Sequence, residues 1–89
     1  MEKTRFSDIV TELYGLHRAK SDDYGDEKDY FPFGAISYVQ MLHVKTKRLV
    51  TLVQEKEETP NFESIEDTVK DLTNYCIFFL DYLARTKDE

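Results

Sequence analysis

The chain has 89 residues, a formal net charge of −6 and one cysteine. A chain of this length buries only about 60% of its unfolded surface, so we expect a single helical domain over residues 1–89. The acidic balance argues against duplex nucleic acid as a partner, because phosphate neutralisation needs a basic face. The lone Cys76 excludes a disulfide framework, and its position among apolar residues predicts a buried thiol. We expect no membrane contact and a cytoplasmic location, since no long apolar run or hydrophobic leader is present.

The first predicted helix is capped by Ser7 and ends near Lys20. Gly15 lowers its helix propensity by roughly 1 kcal/mol, but the apolar period continues through that position. The residues at helical spacing are Phe6, Ile9, Val10, Leu13 and Leu16 or His17.

The segment 21–34 has turn-forming residues at both ends and no helical period. Its four aromatic residues are Tyr24, Tyr30, Phe31 and Phe33. Connections of this length are usually functional or disordered, and the aromatic content argues against disorder. We therefore predict an ordered aromatic loop, in which Tyr24 is the ring most available to a ligand and most of the others form a hydrophobic plug.

The second predicted helix runs from about Ala35 to Lys56 and carries two distinct faces. Its main apolar stripe consists of Ile36, Val39, Leu42, Thr46, Leu49, Val50 and Val53. Its second face consists of Tyr38, Met41, Lys45, Arg48 and Leu52. Two cations one turn apart, flanked by apolar side chains, are not typical of a fully solvated helix edge.

The third predicted helix opens at Pro60, beside a Thr59 or Asn61 cap, and runs to Leu83. Its apolar stripe is Ile65, Val69, Leu72, Cys76, Phe79 and Leu83. Residues 75–83 are apolar nearly all round the helix, which is typical of a helix buried on more than one side. We expect an all-α three-helix bundle that forms a homo-oligomer through this C-terminal helix, with a monomer that exposes a few aromatics as the alternative.

Glu63, Asp67 and Asp71 are spaced one helical turn apart, where like charges repel mildly. One interpretation is a Mg²⁺ site with Glu63 and Asp67 as ligands, the substrate phosphates supplying others. A second is an ion-pair network, if antiparallel packing of the second and third helices brings Lys45 and Arg48 beside these carboxylates. A third is a plain solvated face. Apart from Mg²⁺, no cofactor is expected.

His17 and His43 are interpreted as packed or boundary residues. Neither lies at a spacing that indicates a catalytic triad or a zinc site. The isolated glycines exclude a glycine-rich phosphate loop.

Three separated segments resemble the nucleotide-modification-associated domain family, small helical proteins found mostly in phages and bacteria. They read KSDDYG at 20–25, VKTKRL at 44–49, and ESIEDT at 63–68 followed by LTNY at 72–75. The resemblance spans residues 14–83 and implies nucleotide handling and a phage origin. The predicted ligand-binding residues are Lys20, Asp23, Tyr24, Lys45, Arg48, Asp71 and Asn74.

The carboxylate helix is also similar to that of the all-helical nucleoside triphosphate pyrophosphatases. Those enzymes are expected to place a second glutamate cluster on the preceding helix to complete a magnesium site. Here the preceding helix offers Lys45, Lys47 and Arg48.

Three functions follow. The favoured one is a non-catalytic nucleotide-binding protein, for which one use is sequestering a cyclic-nucleotide signal in the host cytoplasm, between helices or subunits. In it, Lys45 and Arg48 meet phosphates, Tyr24 stacks on a base, and Asp71 or Asn74 reads a base or ribose edge. The alternatives are a Mg²⁺-dependent nucleotide pyrophosphohydrolase and a module that binds a host protein.

Overall fold

The computed structural model describes the backbone of residues 1–24, 30–54 and 62–87, and their side chains apart from those of 20–24, 62 and 63. Helix α1 spans Lys3–Tyr24, α2 spans Ala35–Gln54 and α3 spans Phe62–Lys87. The described segments contain no strand, which confirms the all-α prediction with three helices. The chain divides into two compact units, Met1–Pro32 and Phe33–Glu89, and the single-domain expectation stays a prediction.

Helix α1 is longer at both ends than the sequence pattern predicts. It begins at Lys3, so Ser7 is not its cap but an interior residue, whose carbonyl accepts a hydrogen bond from Thr11 Oγ1 at 2.9 Å. It continues to Tyr24, so the prediction that residues 21–24 belong to the loop is wrong. Neither proline nor glycine occurs between Gly15 and Gly25 to stop the helix. Gly15 lies within the helix, as predicted.

The part of the predicted aromatic loop that the structure describes, residues 30–34, is ordered by ring packing and by the start of α2. Phe31 is buried, with its ring centroid 4.7 Å from that of Tyr30, whereas Phe33 is exposed. Gly34 has a φ of 68°, in the left-handed region, and its carbonyl accepts a hydrogen bond from Ser37 N–H at 3.0 Å. Ser37 Oγ accepts a second bond from Phe33 N–H at 2.9 Å. Both bonds satisfy backbone N–H groups at the start of the helix, where the first N–H groups have no intrahelical acceptor. Helix α2 begins at Ala35, as predicted.

Helices α2 and α3 pack against each other in antiparallel orientation. Near the start of α2, the Tyr38 ring stacks 5.3 Å from Phe79 and lies 5.0 Å from Tyr82. Two turns further along α2, Lys45 meets Asp71, which lies two turns earlier on α3. The partner positions therefore run in opposite directions along the two helices.

The side of α2 that packs on α3 is the second face, not the main apolar stripe. Tyr38 is buried and Lys45 half-buried, together with Met41 and Leu52. Five residues of the main stripe are exposed: Ile36, Val39, Thr46, Val50 and Val53. Burial of the large Tyr38 ring against two other rings removes more apolar area from water than a valine does, which explains the choice of face.

The buried side of α3 also differs from its predicted stripe. Thr68, Asn74, Tyr75 and Phe78 are buried, whereas Val69, Cys76 and Leu83 are exposed. The prediction of a buried Cys76 is therefore wrong. A helix that is apolar nearly all round defines no unique inner face, and here the large side chains at 75 and 78 take the buried positions. Homo-oligomerisation through α3 stays a prediction. None of the described helices is long and apolar enough to cross a membrane.

Candidate charged site between the second and third helices

An ion pair between Lys45 and Asp71 joins α2 to α3. Nζ of Lys45 lies 3.4 Å from Oδ2 of Asp71, and the two side chains are only 22% and 25% exposed. The Coulomb attraction within an ion pair that is this little exposed to water is stronger than within a surface pair, but the two charged groups also lose hydration. The predicted ion-pair interpretation is confirmed for these two residues.

Helix α2 is the cationic element of an acidic chain. It contains Lys45, Lys47 and Arg48 and no aspartate or glutamate. Arg48 is exposed and follows Lys45 by one helical turn, so both lie along the side of α2 near α3. Lys47 is exposed too, but at two residues from Lys45 it projects roughly 200° away around the helix. Only two of the three cations therefore form one cluster.

The carboxylates of α3 differ in their surroundings. Asp71 is half-buried against Lys45, whereas Asp67, one turn earlier, is exposed. The antiparallel register places Asp67 at the same end of the helix pair as Arg48. The backbone of Glu63 lies in the first turn of α3, but its side chain lies outside the described residues. Among the side chains that the structure describes, no group of three His, Cys, Asp or Glu residues is arranged to hold a metal ion.

Asn74 is the most enclosed of the predicted site residues whose side chains the structure describes. It lies one turn after Asp71 and is only 2% exposed. A side chain this deeply buried contacts a ligand only after its neighbours move. Its amide therefore belongs to the interior of the α2–α3 pair in this conformation, and its role as a ligand-binding residue stays a prediction.

The remaining predicted site residues lie at the end of α1. Lys20, Asp23 and Tyr24 have helical backbone, which corrects the placement of Asp23 and Tyr24 in a loop. Their side chains lie outside the described residues. Their part in ligand binding stays a prediction.

Two charged residues of α3 that are not among the predicted site residues, Glu66 and Lys70, form an ion pair with each other. Lys70 Nζ is 3.6 Å from Glu66 Oε1, and the Lys70 side chain is only 25% exposed. Lys70 directly precedes Asp71 in the chain. The sequence itself indicates this ion pair, because Glu66 and Lys70 have the i, i+4 spacing that favours ion pairing on a helix.

The family comparison covers the whole of this cluster. The sequence model of the family described as nucleotide modification associated domain 1 matches residues 20–82, well over half of the chain. The chain belongs to this family. No curated protein and no solved structure gives a match.

Membership of nucleotide modification associated domain 1 confirms the resemblance seen in the sequence segments. The matched range contains α2 entirely and α3 through Tyr82, and it begins within the last turns of α1. Lys45 and Asp71, with most of the helix pair that carries them, therefore lie within the part of the chain that the family model matches. The first turns of α1 lie outside the match.

Proposed function

We propose that this chain binds a nucleotide through its phosphate groups, at the side of the α2–α3 pair where Lys45 meets Asp71. The observation that carries the proposal is the half-buried ammonium of Lys45 on α2, which pairs with the carboxylate of Asp71 on α3. Helix α2 itself contains no acidic residue. An ammonium has three N–H donors, so the contact with Asp71 leaves donors for a phosphate oxygen.

Arg48 supports the proposal from the next turn of α2. Its exposed guanidinium presents a planar fork that matches two phosphate oxygens at once, whereas Lys45 acts as a point charge. An arginine and a lysine one turn apart suit a di- or cyclic phosphate better than a neutral nucleoside. The family description, which concerns nucleotide modification, favours a nucleotide over other phosphate esters.

We favour binding over hydrolysis, because magnesium-dependent phosphoryl transfer needs several carboxylates that hold the ion. Asp71, which would be the natural third ligand beside Glu63 and Asp67, is engaged by Lys45. In a phage setting, a small non-catalytic nucleotide-binding protein would act by sequestering a nucleotide signal. The candidate ligands therefore include cyclic nucleotides.

A thermal-shift screen of mono-, di- and cyclic nucleotides, each with and without Mg²⁺, tests the proposal. A ligand at a hundredfold excess over its Kd stabilises the folded chain by about 2.7 kcal/mol. We expect a shift for at least one phosphorylated nucleotide and none for the matching nucleoside. A screen in which no nucleotide raises the melting temperature would contradict the proposal.

Analysis of the products separates binding from hydrolysis. We expect the stabilising nucleotide to be recovered intact after incubation with the chain and Mg²⁺. Release of phosphate or pyrophosphate that Asp67→Ala abolishes would instead establish the hydrolase alternative, with the α3 carboxylates as metal ligands.

A further inference from the structure

The charges of the candidate site balance one another. Lys45 and Arg48 on α2 carry two positive charges, and Asp67 and Asp71 on α3 carry two negative charges. The neighbouring ion pair within α3 adds no net charge, because its two members have opposite signs. The chain as a whole has a net charge of −6. The candidate site is therefore not a strongly cationic pocket, and this limits how much negative charge its ligand can bring.

The contact with Asp71 brings a carboxylate close to any phosphate that the Lys45 ammonium binds. Nζ of Lys45 lies 3.4 Å from Oδ2 of Asp71, and the three N–H donors of an ammonium point in tetrahedral directions. A phosphate oxygen on a second donor, at the usual hydrogen-bond distance, would lie roughly 5 Å from Oδ2. Both side chains are largely screened from water, so solvent damps the repulsion between the two anions only in part.

The strength of this repulsion depends on the charge of the phosphate. A phosphomonoester has a second pKa of about 6 and carries about −2 at pH 8, whereas a phosphodiester carries one negative charge. One further charge roughly 5 Å from a carboxylate weakens binding by about fourfold in bulk water and by more than about a hundredfold at the dielectric of a protein surface. The two cations attract the second charge, but the two carboxylates offset that attraction. A dianion also loses more hydration on binding.

We propose that Asp71 is a specificity-determining residue, whose carboxylate makes the site select a singly charged nucleotide phosphodiester over a doubly charged phosphomonoester. The inference rests on the proposed function and narrows it, because diphosphates and cyclic phosphates both remain candidates there. The balanced charges fit the cyclic phosphate. A linear dinucleoside monophosphate contains the same diester, so the shared chemistry is one phosphodiester group with one negative charge.

Matched pairs of esters test the selection by isothermal titration calorimetry at pH 8 and 0.15 M salt. Each of the four ribonucleoside 5′-monophosphates is compared with its 5′-methyl phosphate, which has the same base and ribose but one charge fewer. We expect the methyl phosphate of at least one nucleoside to bind at least fivefold more tightly than the monophosphate. Asp71→Asn removes the repelling charge and should lower this ratio at least fivefold. A merely structural effect would change both affinities and leave their ratio unaltered.

Asp81→Asn is the matched control. It removes the same charge from the same helix, where Asp81 Oδ2 lies 3.0 Å from Nε of Arg85. Residue 81 is roughly 15 Å along α3 from residue 71, which exceeds the screening length at this salt concentration. We expect the ester ratio to stay within twofold of that of the unsubstituted chain. Asp71→Glu retains the charge and should retain the preference, and this variant decides the question if Asp71→Asn fails to fold.

The outcomes separate this inference from the proposed function. Absence of binding by both esters of every nucleoside would overturn both. Monophosphates that bind as tightly as the methyl phosphates, an ester ratio that Asp71→Asn leaves unchanged, or loss of the preference in Asp71→Glu would overturn the inference alone and leave a phosphate site at Lys45. Titration of a 3′,5′-cyclic nucleotide and of a linear dinucleoside monophosphate distinguishes the two sources of the diester. Binding of either supports the inference, and binding of neither would overturn it.

Discussion

Gly34→Ala should destabilise the fold at the point where α2 begins. Gly34 has a φ of 68°, a conformation that costs a residue with a Cβ about 1–2 kcal/mol. A Cβ at this position would also lie 3.0 Å from the hydroxyl oxygen of Tyr82 on α3. For a small domain, 1 kcal/mol corresponds to roughly 4–8 °C in Tm, so we expect a fall of about 4–16 °C by circular dichroism at 222 nm.

The two causes are separable by a double-mutant cycle with Tyr82→Phe. The hydroxyl is the far end of a flexible side chain and can move, so the backbone conformation should account for most of the cost. We expect Gly34→Ala in a Tyr82→Phe background to recover less than half of the lost stability. Full recovery would show that the steric contact dominates and that the φ argument is wrong.

Gly15→Ala provides the control of opposite sign. Gly15 lies inside α1, and a Cβ there meets no atom within 4 Å. Replacing an interior helical glycine by alanine should raise the free energy of unfolding of the unit that contains α1 by about 0.8–1 kcal/mol. If Gly34→Ala were as stable as the unsubstituted chain, or Gly15→Ala were less stable, the account of the helix boundaries would be refuted.

Three further outcomes are measurable by denaturant unfolding. Lys45→Met should cost about 1–2 kcal/mol, between the values for surface and buried ion pairs, whereas Lys47→Met should change stability by less than about 0.5 kcal/mol; equal effects would contradict the pairing with Asp71. Tyr38→Ala should cost about 3–5 kcal/mol through loss of the ring stack, and the exposed Tyr14→Ala very little. Cys76→Ser should be neutral within about 0.5 kcal/mol, because the thiol is exposed; a cost near that of a buried residue would indicate that Cys76 is covered.

The helices were largely predictable because their signals are local. The apolar period and the Gly34 turn predict three helices and the start of α2 at Ala35. The predicted start of the third helix at Pro60, with a Thr59 or Asn61 cap, lies outside the described residues. The boundary errors in α1 arose where local signals are weak: Ser7 is an acceptable helix interior residue, and residues 21–24 have poor but tolerable helix propensity.

The choice of packing face was not predictable, because it depends on the partner helix. Both faces of α2 carry large apolar side chains. Tyr38 rather than Val39 is buried because the Tyr38 ring stacks on an aromatic residue of α3. The contact of Lys45 with Asp71 was predictable once the two helices were taken as antiparallel, since charge and spacing then agree. The depth of Asn74 depends on three-dimensional packing that residue spacing does not encode.

Isothermal titration calorimetry on matched lysine variants tests the central claim most directly. The nucleotide that gives the largest thermal shift is titrated into the unsubstituted chain, Lys45→Gln and Lys47→Gln. Loss of a charged hydrogen bond costs about 1.5–3 kcal/mol, so we predict a Kd at least tenfold weaker for Lys45→Gln and within about twofold for Lys47→Gln. Equal weakening by both variants, or no heat of binding for any nucleotide, would contradict a phosphate site at Lys45.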